Sequence, residues 1–289
     1  MKMFFSIVLG LFLFACQQKN PQPVWLSLSE WHLNPSSQPV DDHGQLTQNF
    51  TDVCVYVDGK LIGFFELPCK IPIIAQGKAS VTLYPVIRNN DNPATKKIYP
   101  FVIPHEELLD LEGGETYALN LQTRYANEAH FWIEDFNSPN IQLITESAPV
   151  NASLVRSNDP QYALPGGDFY GHIHLTISDS LWIAYTDPTM NLPGNGKEVY
   201  LEIDYRNSAT ILTGLIEVTP DNQKRQHFNV PVNRQNTSDM KWKKIYIDLK
   251  DIVSNSASNA QFSHYFSTLL NTDESQNDVY IDNIKVVHF

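Results

Sequence analysis

Val199-Tyr200-Leu201-Glu202-Ile203-Asp204-Tyr205-Arg206 is the stretch whose reading decides the fold. Val199, Leu201, Ile203 and Tyr205 share one parity and Tyr200, Glu202, Asp204 and Arg206 the other, which is the period of a strand that buries one face and wets the other. The same pattern recurs outward from it. Ile173, Leu175 and Ile177 oppose His172, His174 and Thr176, while Ile245, Ile247 and Leu249 oppose Lys244, Tyr246 and Asp248. Upstream, Val53, Val55 and Val57 share a face before Asp58-Gly59-Lys60 turns the chain into Leu61-Ile62-Gly63-Phe64-Phe65, a hairpin signal. Only residues 104–111 suggest one or two turns of helix. The expectation is an all-β chain of antiparallel sandwiches, with a boundary near Asn127 that makes 24–127 a first domain and 128–289 a second.

Composition agrees. Of 289 residues, 42% are hydrophobic and 18% charged, enough apolar surface to exclude a disordered chain or a coiled coil. The formal net charge is −12 with no run of Lys or Arg, so nucleic acid is not an expected partner and surface charge does not attract anionic lipid heads. No Gly-x-Ser-x-Gly elbow, Walker loop, His-Glu-x-x-His or Cys-x-x-Cys occurs. Glu134 and Asp135, adjacent in a strand, point to opposite faces and do not form a hydrolytic pair. A non-enzymatic protein is expected.

The first 15 residues read as an address. Lys2 precedes an apolar run from Met3 to Phe14, about as long as a secretory h-region and short of the roughly 20 residues that span a bilayer. Leu13-Phe14-Ala15-Cys16 resembles a bacterial lipobox, which implies cleavage after residue 15 and acylation, palmitate included, at Cys16; residues 16–23 then form a short tether. The alternative is an ordinary signal peptide with a chance cysteine. Gln17 stands where inner-membrane lipoproteins of enteric bacteria carry Asp, so the resemblance implies the outer membrane, with the side left open. Outside the cytosol, Cys54 and Cys69 are either two thiols or a disulfide, whose loop of about 15 residues is worth about 3 kcal/mol.

Longer stretches resemble known modules. Val55-Tyr56-Val57-Asp58-Gly59-Lys60-Leu61-Ile62-Gly63, Phe65-Glu66-Leu67-Pro68 and Tyr99-Pro100-Phe101 resemble PEGA-like, immunoglobulin-type modules of bacterial surface proteins. Phe131-Trp132-Ile133-Glu134-Asp135-Phe136, Trp242-Lys243-Lys244-Ile245-Tyr246-Ile247-Asp248-Leu249 and Val279-Tyr280-Ile281-Asp282-Asn283-Ile284-Lys285-Val286 resemble galactose-binding-like jelly rolls, the scaffold of many carbohydrate-binding modules. Together they look like an uncharacterised lipoprotein family of Bacteroidetes.

Several residues are candidates for a site. If Ile284 and Val286 face the core, period two puts Asp282 on the same face, where an unpaired carboxylate is costly. The jelly-roll resemblance implies a structural Ca²⁺ held by Asp282 with Glu134 or Asp135; the alternative is that Asp282 accepts backbone N–H bonds or pairs with Lys or Arg. His172 and His174, two apart in a strand, project from one face and suit a transition metal whose third ligand spacing does not identify, or else simply belong to a polar face. Tyr200 with Glu202, Asp204 and Arg206, joined by Trp182 and Tyr246, would form a sheet face on which a sugar ring stacks, unless the tryptophans pack beneath loops. Asp179-Ser180-Leu181 resembles the Bacteroidetes O-glycosylation pattern, with Ser180 as acceptor. Two functions follow: capture of carbohydrate by the second domain, or docking to a partner in an envelope assembly.

Overall fold

In the computed structural model, the residues described are 22–36, 43–146, 152–187 and 189–289. Cys16, the signal peptide and most of the tether lie outside them. Among the described residues the chain is almost entirely β, with one short helix, Lys250–Asn255, and a 3-10 turn at Thr237–Asp239.

The first unit is a sandwich. Val24–Leu28 pairs antiparallel with Cys69–Ile73 and parallel with Thr116–Leu119. Facing it, Asp52–Val57 lies between Lys60–Glu66 and the long Gly77–Arg88, whose other edge takes Lys96–Ile98 and His105–Leu111. The hairpin falls where Asp58-Gly59 allows it. Both residues have positive φ, 48° and 73°, the conformation that matches the twist of two paired strands. Leu26, Val53, Val55, Ile71, Val81 and Leu83 fill the space between the sheets. Residues 104–111 do not turn as a helix. His105–Leu111 is a strand in register with Gly77–Leu83, because cross-strand pairing and burial of Leu111 outweigh the helical preference of Glu-Glu-Leu-Leu.

The second unit is also a sandwich, antiparallel throughout. One sheet runs Leu154–Ser157, Tyr170–Thr176, Gln276–His288, Val199–Asn207, Lys243–Asp248, and His130–Glu134 pairs with the far half of Gln276–His288. The other runs Leu143–Thr145, Leu181–Thr186, Gln261–Leu269, Ile211–Val218, Lys224–Phe228. Ile173, Leu201, Ile203, Ile245 and Ile281 from the first sheet meet Trp182, Leu215, Phe262 and Phe266 from the second.

A single bulge determines which way the last strand points. Between Glu202 and Asp204 the register of Val199–Asn207 against Gln276–His288 slips, and Asn283 sits there with φ 49°, a conformation Asn adopts more readily than most residues. Val279 and Ile281 face the core before it, Ile284 and Val286 after it. Asp282 therefore lies on the outer face, opposite to the expectation from strict alternation.

Candidate functional site

Within Val199–Asn207 the alternation holds, yet its polar face is covered. Tyr200, Glu202, Asp204 and Tyr246 are each at most 2% exposed, because the first unit packs on this part of the sheet. Tyr200, Tyr246 and Val287 share a cluster with Phe50, Tyr99, Phe101 and Tyr125 from the first unit. The sugar-stacking face expected at these residues is thus an internal seam. Glu202 is its centre: Tyr99 donates its hydroxyl to Oε1, Tyr125 donates across 3.1 Å to Oε2, and Lys244 Nζ lies 2.8 Å from Oε2. Lys244 is also 3.3 Å from Asp204, whose Oδ2 accepts from Thr47 and from Asn283 Nδ2.

Charge balance makes this burial tolerable. Burial opposes ionisation of Glu202, but Lys244, Lys285 and the hydrogen bonds outweigh it and hold its pKa below the ordinary range. Burial likewise opposes the charge on Lys244, and Asp204 and Glu202 reverse the effect. Tyr99, Tyr125 and Tyr246 are pushed well above the usual phenol value, by burial first and by Glu202 next.

The three carboxylates expected around calcium are not gathered into one ligand set. Glu134 accepts the backbone N–H of Phe136 at 2.7 Å and that of Gln142, and Asp135 accepts from Asn137. Asp282, turned outward by the bulge, accepts only the adjacent Asn283 N–H, at 2.7 Å, among the described residues. Burial raises its pKa to about 8, with Asp204 and Asp135 contributing against that one bond. That bond from a backbone N–H is the alternative to calcium, in which Asp282 accepts from the main chain.

Trp182 is 1% exposed between the sheets and donates from Nε1 to Thr145, so it is core and not a sugar platform. Arg206 stays on the outer face, half-buried, with its guanidinium 5.4 Å from the rings of Tyr162 and Tyr280. Cys54 and Cys69 are free thiols in different sheets of the first unit; burial raises both pKa values. No disulfide joins them. Ser180 lies half-buried in the turn between Tyr170–Thr176 and Leu181–Thr186, its carbonyl accepting from Leu270. His172 and His174 do share a face, and the structure supplies a carboxylate beside them, Asp278.

A cleft and an open sheet face are the candidates that remain for a ligand. A cleft of about 730 Å³ beside the seam is bounded by Trp31, Arg88, Asp91, Asp204, Trp242 and Lys243. Its indoles are already engaged: Trp31 Nε1 donates to the Asp52 carbonyl and Trp242 Nε1 to that of Tyr162. The outer face of the second sheet is different. Across it Tyr185 pairs with Tyr265, Tyr265 with Gly214 and Gly214 with Phe228, with Ile144 opposite Tyr185 at the edge. Among the described residues neither tyrosine hydroxyl is hydrogen-bonded, and Phe228 is 67% exposed.

Gly214 makes this row continuous. A Cβ there would stand 2.5 Å from the His227 carbonyl oxygen, so only glycine lets the Lys224–Phe228 strand approach. Phe228 leans across the gap to within 6.5 Å of the Tyr265 ring, edge to face. Tyr185 is not legible as a site residue in the sequence because Leu181-Trp182-Ile183-Ala184-Tyr185 is apolar on both parities, and Tyr265 and Phe228 come beside it only through the register of the sheet.

No family model matches the chain, and no curated protein matches it. Solved structures that the chain matches include the xylan-binding domain of a family 22 carbohydrate-binding module, at 15% identity and TM-score 0.38 over 56% of this chain and 96% of that one. The family 11 carbohydrate-binding module of a Clostridium thermocellum cellulase is similar at 11% identity and TM-score 0.37, over 54% and 94%. The enzymatically active domain of tailspike protein 4 from bacteriophage CBA120 matches at 12% identity and TM-score 0.37, over 51% of this chain but only 19% of that one. The sandwich architecture stands on the strand pairing of the chain itself.

Proposed function

We propose that this protein is a lipid-anchored, non-enzymatic carbohydrate-binding protein of a bacterial outer membrane, and that an extended polysaccharide lies along Tyr185, Tyr265 and Phe228. The in-register row of three aromatics on the outer sheet face, half-buried Tyr185 and Tyr265 and exposed Phe228, carries the reading. Flat rings cover the apolar faces of pyranoses with little loss of side-chain entropy, and the two hydroxyls remain for sugar oxygens. A strip of this kind suits a polymer rather than a single sugar in a pocket. Several similar structures are carbohydrate-binding modules, which agrees with it. The lipobox at Cys16 supports the anchor, and Ser180 is the proposed glycosylation acceptor.

The aliphatic residues beside the row favour a second reading, docking to an envelope protein. Ile144, Leu212 and Leu269 are 39%, 43% and 57% exposed on the same face, more apolar surface than a scattering of single residues. A polysaccharide array probed with the soluble chain from residue 22 onward separates the two. Binding that weakens about tenfold in Tyr265→Ala supports the carbohydrate reading. An array without hits, or hits indifferent to Tyr265→Ala and Phe228→Ala, turns the assignment to docking.

A further inference from the structure

The opposite sheet carries a second cluster, built on residues far apart in the chain. His174 pairs directly with Asp278 across neighbouring antiparallel strands, and His172 pairs with Tyr280 one step further along. All four side chains emerge from the outer face. His172 Nε2 and His174 Nδ1 each lie 2.8 Å from the same oxygen, Asp278 Oδ1, and the three ligand atoms fall within 4.8 Å of one another. Among the described residues this is the one group of His, Cys, Asp or Glu gathered so closely.

We infer that His172, His174 and Asp278 form a binding site for a divalent late transition metal, with at least one coordination position open to solvent. Two imidazoles, borderline nitrogen ligands, joined by one carboxylate suit Zn²⁺, Ni²⁺ and Cu²⁺ rather than Ca²⁺ or Mg²⁺. Tetrahedral Zn²⁺ with bonds of about 2.0–2.1 Å needs its ligand atoms roughly 3.3 Å apart. Opening each of the two 2.8 Å contacts to Asp278 by about half an ångström gives that spacing between the carboxylate and the imidazoles, and the two imidazole nitrogens already lie within 4.8 Å of each other.

The surroundings prepare the ligands. His172 stacks on Tyr280 at 4.6 Å and 10°, and Tyr280 stacks on Tyr162 at 5.2 Å and 6°, which fixes the plane of the imidazole. Ser208 donates its hydroxyl to the Asp278 carbonyl and receives the Asp278 N–H, which anchors the strand beneath the carboxylate. All three ligands stand on paired strands rather than loops, the arrangement that holds a first shell most firmly. They are also within reach of solvent, with side chains 28%, 47% and 29% exposed, so an ion enters without unfolding. Three protein ligands leave room for water or for a donor atom of another molecule.

Calorimetric titration of the tag-free chain from residue 22 onward with Zn²⁺, and with Cu²⁺ followed by electron paramagnetic resonance, tests the site. One equivalent should bind saturably, with two nitrogen ligands in the Cu²⁺ spectrum. Asp278→Asn should weaken binding at least tenfold and His172→Asn/His174→Asn should abolish it. These substitutions, at solvent-accessible side chains, should leave the melting temperature of the metal-free protein within a few degrees of the parent. Absence of saturable binding overturns the inference. So does binding that survives the double variant, or that is lost instead with His130→Asn, which removes the other close imidazole pair, His130 and His288 at 5.6 Å.

Discussion

Asp282 shows how one residue's burial becomes a pH dependence. Its carboxyl is 3% exposed and its pKa is raised to about 8, against roughly 4 in an unfolded chain. A raised folded-state value means that the neutral form is the one the fold accepts. Its contribution is therefore whole below about pH 4 and is lost as pH rises toward 8. His264 acts in the opposite sense: buried, with its pKa lowered to about 3, it penalises folding only as pH falls below about 6.5. Between pH 6.5 and 9 the Asp282 effect stands clear of it. Asp282→Asn should raise stability at pH 8–9 by a few kcal/mol, by only about 1 kcal/mol near pH 5 and hardly at all below pH 4, measured by urea unfolding from pH 3.5 to 9. A parent protein that is instead stabilised by Ca²⁺ over chelator, with the gain lost in Asp282→Asn, would show a cation seated on the carboxylate. Asp282 was legible as a carboxylate in need of a partner. Its face was not, because the bulge at Asn283 depends on pairing with a strand some 80 residues away in the chain.

Among the strands, alternation was a sound guide to which residues enter the core and a poor guide to what covers the other face. Val199, Leu201, Ile203 and Tyr205 point inward as their period implies. Tyr200 and Glu202 were legible as the opposite face, but nothing local records that Tyr99 and Tyr125 close over it. Likewise His172 and His174 were visible as a pair, while Asp278, which completes them, required the register of the last strand. In the second sheet the telling residue is Gly214. Gly214→Ala should cost about 1–3 kcal/mol by forcing a Cβ against the His227 carbonyl. Because it displaces the Lys224–Phe228 strand, it should also weaken polysaccharide binding more than an alanine at exposed Leu212 does. Equal binding by the two variants would mean that Phe228 needs no support from Gly214.

At the scale of the molecule, the two sandwiches are joined by a charged and aromatic seam rather than by a tether alone. Glu202 collects donors from both units, so the chain from residue 22 onward should melt in one calorimetric transition. Glu202→Ala, which leaves Lys244 short of a partner, should cost about 3–5 kcal/mol and separate the transition into two; two transitions in the parent would contradict the seam. The anchor is tested by the mass of the mature amino terminus, which should begin at an acylated residue 16, with Cys16→Ser yielding an unacylated chain. The central claim concerns the open aromatic face, and affinity electrophoresis through gels cast with polysaccharides identified on the array tests it most directly. The parent chain should be retarded, Trp31→Phe in the seam cleft should migrate like the parent, and Tyr185→Ala/Tyr265→Ala/Phe228→Ala should run freely while keeping the parent's circular dichroism. Undiminished retardation of that folded triple variant would contradict the account.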